Sequence, residues 1–103
     1  MPRVTMVRYT TKPERAAENE ALSRAVFAEL HQKRAANIAY GLFKEADGLS
    51  FVHLFINLSE DTSDPVTELP SFKAFGKAIL ERCVAPPEQT RLSLELVDSY
   101  GLK

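Results

Sequence analysis

A histidine set in an aromatic strand is the residue of this chain best placed to do chemistry. His53 lies in Ser50-Phe51-Val52-His53-Leu54-Phe55-Ile56-Asn57, where strand alternation puts Phe51, His53, Phe55 and Asn57 on one side. Among such neighbours an imidazole loses hydration and its pKa falls, which makes it a neutral base toward a phenolic or enolic proton. Arg8 is the second candidate. A guanidinium on a half-buried strand needs a carboxylate partner or the oxyanion of a ligand, such as an enolate or quinone oxygen. Tyr9 and Tyr40 offer phenolic donors on rings that can stack. Together these predict a site with His53 as base and Arg8 stabilising oxyanion charge. Tyr40, Phe55, Asn57 and Phe51 would form the wall that orients an aromatic substrate. Each residue also has a plainer reading: His53 hydrogen-bonded to Asn57, Tyr40 or a partner chain, Arg8 paired with Glu95, the tyrosines simply core.

Other chemistries find little support. Cys83 is the lone cysteine, which rules out an internal disulfide, and it falls in an apolar helical stripe that would bury it as an inert thiol. His31 and His53 lie on separate elements, with no carboxylate or cysteine near His31 at ligand spacing, so no metal site is predicted. No glycine-rich phosphate loop and no Ser-His-Asp or paired-carboxylate spacing is present.

The elements that must position these side chains follow from periodicity. Arg3–Thr10 alternates as a strand with both faces largely apolar, which predicts cover on both sides. Thr11 and Glu14 form a capping-box pattern with Pro13 in the first turn, opening a helix to about Arg34. Its apolar stripe is Leu22, Ala25, Val26 and Leu30, with Phe27 and His31 on another side. Asn37–Ala46 and Leu49–Leu58 read as a hairpin around Asp47-Gly48, a dipeptide favoured in a two-residue type I′ turn. Counting outward pairs Leu42 with His53, Tyr40 with Phe55 and Ile38 with Asn57. On the other side Phe43, Gly41 and Ala39 meet Val52, Leu54 and Ile56, a surface small enough to receive helices. Ser59–Pro70 is a long loop that reads either as a lid or rim or as an inert surface loop. Phe72, Phe75, Gly76, Ile79, Leu80 and Cys83 mark a second helix over Ser71–Val84, stopped by Pro86-Pro87. Gln89–Ser99 is the last strand.

The order β-α-β-β-α-β predicts one ferredoxin-like α+β domain: a four-stranded antiparallel sheet with two helices on one face. Thirteen basic and fourteen acidic residues in 103 leave a net charge of −1, so no electropositive field exists for nucleic acid or anionic lipid. The segment 47–54 echoes an RNA-recognition strand motif, yet keeps only Phe51 of its aromatic positions. No apolar run matches a signal peptide or a membrane span, which sets a cytoplasmic location as the expectation. The open face of the sheet, expected to carry Met6, Tyr40, Leu42, Phe51 and Phe55, is a larger apolar patch than a monomer normally exposes. A homodimer packed sheet to sheet is the predicted cover.

With that order in place, the chain resembles the dimeric α+β barrel proteins, and among them the antibiotic-biosynthesis-monooxygenase-like family. The most specific match is Leu69-Pro70-Ser71-Phe72-Lys73-Ala74-Phe75, similar to the "SPHFxAF" motif that opens the family's second helix. The resemblance implies a small homodimer with an apolar cavity between sheet and helices. It also implies activity, in some members, on quinol-like or polyketide aromatics without metal or flavin. The chain departs from the pattern where the motif's histidine is Ser71, and in having no tryptophan. For the haem-degrading branch of the family the resemblance implies a histidine iron ligand on the second helix, and Ser71–Val84 has none. Two functions follow as expectations: a cofactor-independent monooxygenase, or a non-catalytic dimeric module binding a small ligand, toward which the departures lean.

Overall fold

The β-branched Val4, Thr5, Val7 and Thr10 together with Tyr9 make Arg3–Thr10 the strand β1, and its neighbours complete a four-stranded antiparallel sheet in the computed structural model, which describes residues 2–60 and 64–102. The other strands are β2 (Ile38–Lys44), β3 (Ser50–Asn57) and β4 (Glu88–Ser93), in the order β2-β3-β1-β4. A 3₁₀ turn at Pro13–Arg15 leads into α1 (Ala16–Lys33), and α2 (Pro70–Gly76) and α3 (Ile79–Arg82) precede β4. This is the ferredoxin-like α+β arrangement. The second predicted helix is interrupted at Lys77 and Ala78, and the last strand stops at Ser93, leaving 94–99 outside the sheet.

The hairpin register is the expected one: Leu42 opposes His53, Tyr40 opposes Phe55, Ile38 opposes Asn57. The turn differs. Glu45 N–H donates to the Ser50 carbonyl, so the loop is Ala46–Leu49, and only Gly48 has positive φ, at 72°. A four-residue loop shares its centre with the two-residue one, so the pairing survives the change of turn. Asp47 holds the loop, accepting hydrogen bonds from the Leu49 and Ser50 N–H groups and from the Ser50 hydroxyl.

The face assignment is reversed. The helices cover the side carrying Tyr9, Phe51, His53 and Tyr40, where Tyr9, Val26, Leu30, Phe51, Val66, Leu69, Phe75 and Cys83 form the core. Full burial of such side chains is worth roughly 1.5–3 kcal/mol each. The open face carries Met6 and Arg8 of β1, Phe43 of β2 and Leu54 of β3, with Leu92 of β4. No helix occupies the small surface at Gly41, where the Phe43 ring lies against the glycine: a Cβ there would meet that ring at 3.0 Å.

The buried stripe of α1 is Asn19, Ser23, Val26 and Leu30, with Leu22 partly buried and Ala25 exposed. Thr11 does not cap it. Its hydroxyl donates to the Leu49 carbonyl, and its backbone bridges to Cys83. The α1–α2 contact is fastened by Glu29, whose Oε1 accepts from the Ser71 N–H at 3.1 Å and the Ser71 hydroxyl at 2.5 Å. The serine that replaces the motif's histidine thus ties the two helices together.

Candidate functional site

Between the helix-covered sheet face and α2 lies a cavity of about 640 Å³. Its deep wall is aromatic: Tyr9 from β1, Tyr40 from β2, His53 and Phe55 from β3, Phe72 and Phe75 from α2. Exposed Gln89, Arg91 and Ser93 of β4 line its open side, together with Arg3. The loop read as a lid or rim, or else as inert surface, contributes Asp64, Val66 and Thr67 to the lining, while 61–63 lie outside the described residues. The volume and mostly apolar lining suit a small ligand.

At the centre of the wall, His53 is 6% exposed and bound on both ring nitrogens. Nε2 is 2.7 Å from the Tyr9 hydroxyl, and Nδ1 is 2.7 Å from the Tyr40 hydroxyl. Burial lowers its pKa to about 4, so the ring is neutral at pH 7. Burial likewise pushes Tyr9 up to about 12, partly opposed by the Asn19 hydrogen bond and the Arg82 charge. Tyr40 is raised by burial and then by its proximity to Tyr9. Rings frame the histidine, with Phe75 at 5.4 Å and Tyr40 at 5.9 Å between centroids.

Behind Tyr9 the network continues. Asn19 Nδ2 donates to the Tyr9 oxygen at 2.9 Å, and Arg82 Nε donates to Asn19 Oδ1 at 3.1 Å. Arg82 is 1% exposed. Its Nη2 donates to the Phe75 carbonyl at 2.6 Å, and its guanidinium sits 5.0 Å from the centre of the Phe75 ring. A buried cation held by neutral acceptors and an aromatic face is uncommon, and here it anchors a polar chain that ends at the cavity.

Of the residues singled out in the sequence, the structure brings His53, Tyr40, Phe55 and Asn57 to one wall. Phe55 meets Tyr40 edge to face at 5.6 Å, and Asn57 Oδ1 accepts from the Ser59 N–H. Phe51 is wholly buried against Tyr9 and lines instead a smaller hollow with Phe27 and His31. Arg8 is absent from the cavity lining. It lies on the open face, where Nε donates to Glu45 Oε2 at 2.9 Å, and the register sets Glu88 beside it; Glu95 falls beyond the end of β4. Strand alternation explains the outcome, since Arg8 and Tyr9 must point to opposite faces and Tyr9 points to the helices.

Sequence reasoning missed Asn19 and Arg82. A signal existed for the first, because Asn19 and Ser23 share the helical face of Val26 and Leu30, and polar residues on a core stripe need buried partners. Arg82 gave no comparable signal, for an arginine in a short helix usually extends into water. Among the described residues, no three His, Cys, Asp or Glu side chains gather to hold a metal ion, and no helix is long and apolar enough to cross a membrane.

Solved structures place this architecture. Rv0793 from Mycobacterium tuberculosis superimposes with a TM-score of 0.75 at 22% identity, over 95% of this chain and all of that one. A candidate antibiotic biosynthesis monooxygenase from Bacteroides thetaiotaomicron gives 0.76 at 18% identity, covering 99% and 96% of the two chains. SnoaB, a cofactor-independent oxygenase from Streptomyces nogalater, gives 0.66 at 18%, covering 90% and 92%. No protein-family model and no curated protein matches the sequence. The chain therefore has the fold of the antibiotic-biosynthesis-monooxygenase-like proteins, at a sequence distance where the fold alone is shared.

Proposed function

We propose that this protein binds a small planar aromatic in the cavity between sheet and helices and oxidises it, as a cofactor-independent monooxygenase acting on quinol-like compounds. One atom of O₂ would enter the ring and the other would leave as water. The substrate itself would supply the electrons, so no external reductant is required. The observation that carries this reading is the aromatic wall of a cavity of about 640 Å³, with a neutral histidine and two tyrosines at its centre. A flat ring can stack there while its oxygen meets a phenolic donor. The likeness in fold to SnoaB adds the reaction class.

A second copy belongs to the same proposal. Met6, Phe43, Leu54 and Leu92 are 44%, 58%, 36% and 48% exposed on the open face. A second sheet laid on this face would bury them, as in other two-sheet cores.

One observation favours the non-catalytic alternative, a dimeric ligand-binding module: both nitrogens of His53 are already hydrogen-bonded, so no lone pair faces a substrate directly. Oxygen consumption with a panel of quinols and naphthols separates the two. Protein-dependent uptake that falls by about a hundredfold or more in Tyr40→Phe supports oxygenation. Aromatic binding without uptake leaves the binding module, and absence of both refutes the reading of the cavity.

A further inference from the structure

The hydrogen-bond chain through the core has a direction, and Arg82 sets it. A guanidinium only donates, so the Asn19 atom at 3.1 Å from Arg82 Nε is the amide oxygen. The amide nitrogen then points at Tyr9 and donates to its oxygen at 2.9 Å. Tyr9 has a single hydrogen; the neighbouring Ser23 hydroxyl gives its own to the Asn19 backbone carbonyl, and the acceptors at hydrogen-bond distance from Tyr9 are His53 Nε2 and Asn19 Oδ1. The contact with His53 Nε2 is 2.7 Å, whereas the approach to Asn19 Oδ1 is 3.3 Å and that oxygen already serves Arg82. The hydrogen goes to Nε2. A neutral imidazole accepting at Nε2 carries its proton on Nδ1, which donates to the Tyr40 oxygen at 2.7 Å. Tyr40 therefore receives a hydrogen bond and keeps its own hydrogen, and among the described residues His53 is the one hydrogen-bond partner of its hydroxyl.

We propose that Arg82 and Asn19 act as positioning residues that hold His53 as its Nδ1–H tautomer, so that Tyr40 presents a hydrogen to the cavity and captures ligands through an acceptor oxygen, a phenolate, enolate or quinone carbonyl. The chain is built to deliver hydrogen toward the ligand rather than to take it. His53 then acts behind Tyr40 rather than as a base in contact with substrate. The ligand clause rests on the cavity reading above; the tautomer does not.

The test has two separable arms. Long-range proton–nitrogen correlation on ¹⁵N-labelled protein without ligand is expected to show His53 with a protonated-type Nδ1 and an acceptor-type Nε2. Asn19→Asp keeps the size but replaces the donor with a second acceptor facing Tyr9, and gives Arg82 a carboxylate. Tyr9 should then donate to Asp and accept from Nε2–H, reversing the nitrogen pattern. A wild-type Nε2–H tautomer overturns the direction whether or not the variant folds, and so does a folded variant with the wild-type pattern. A merely structural network would not link the amide's chemistry to the tautomer. The second arm reads binding by ¹⁹F NMR with pentafluorophenol, a phenolate at neutral pH, against hexafluorobenzene, which has no oxygen. Tyr40→Phe is expected to weaken the phenolate about tenfold or more and leave hexafluorobenzene binding unchanged. Equal phenolate binding by both proteins overturns the ligand clause. Failure of both probes to bind wild type refutes the cavity reading, and the ligand clause with it, while the nitrogen spectrum still decides the tautomer.

Discussion

Acid should destabilise this protein through His53 before its carboxylates protonate. Burial lowers the His53 pKa from 6.5 to about 4. The unfolded chain therefore binds a proton between those values that the folded protein refuses. Stability falls as pH drops through 6.5 and stops falling from this source below about 4. At roughly 1.4 kcal/mol per pKa unit, the loss comes to about 2 kcal/mol by pH 5 and about 3 kcal/mol by pH 4. The 6% exposure of the residue leaves little solvent to screen it, and protonation would also oppose Nε2–H to the Tyr9 hydrogen. The assay is urea unfolding of wild type and His53→Gln at fixed protein concentration from pH 7.5 to 4. Glu18, Glu20, Glu29 and Asp47, all held low by hydrogen bonds, contribute alike to both proteins and cancel in the difference. The wild type should lose about 3 kcal/mol more than the variant across that range. Parallel curves, or a His53 imidazole that titrates near 6.5 by NMR in the folded protein, would refute the reasoning.

Arg8→Met should leave phenolate binding close to wild type, because Arg8 pairs with Glu45 across the sheet from the cavity; loss of binding in ¹⁹F titration would contradict this placement. Gly48→Ala should cost about 1 kcal/mol in denaturant unfolding, since φ is 72° while no atom lies within 4 Å of the new Cβ, and a neutral result would argue against the turn. Leu54→Asp should convert a dimer to a monomer in sedimentation equilibrium without loss of helix content, and a dimer that persists would move the interface elsewhere.

Particular residues show where sequence reading holds and where it stops. The span Arg3–Thr10 and the pairing of Leu42 with His53 were legible because alternation and a loop centred on Asp47-Gly48 leave one consistent register. The grouping of His53, Tyr40, Phe55 and Asn57 followed from the same count. Arg8 was misplaced for a different reason. With Val4 and Met6 beside it and Val7 and Tyr9 opposite, neither face of β1 is marked as the one facing helices. The helix ends were blurred by Thr11, whose hydroxyl serves the Leu49 carbonyl, a partner 38 residues away that no local pattern names.

By itself the sequence determined the order of elements, the register of the hairpin and the sharing of faces within it, because periods of 2 and 3.6 residues are local properties of the backbone. Only the tertiary structure decided which face of the sheet the helices take. That choice depends on how the rings of Tyr9, Phe51, His53 and Phe75 and the polar stripe of α1 fit together across elements far apart in the chain. The same packing buried Arg82 and Asn19 behind Tyr9, and so oriented the histidine. A hydrogen bond between residues 63 positions apart leaves no periodic trace, and its direction exists only once both partners are enclosed.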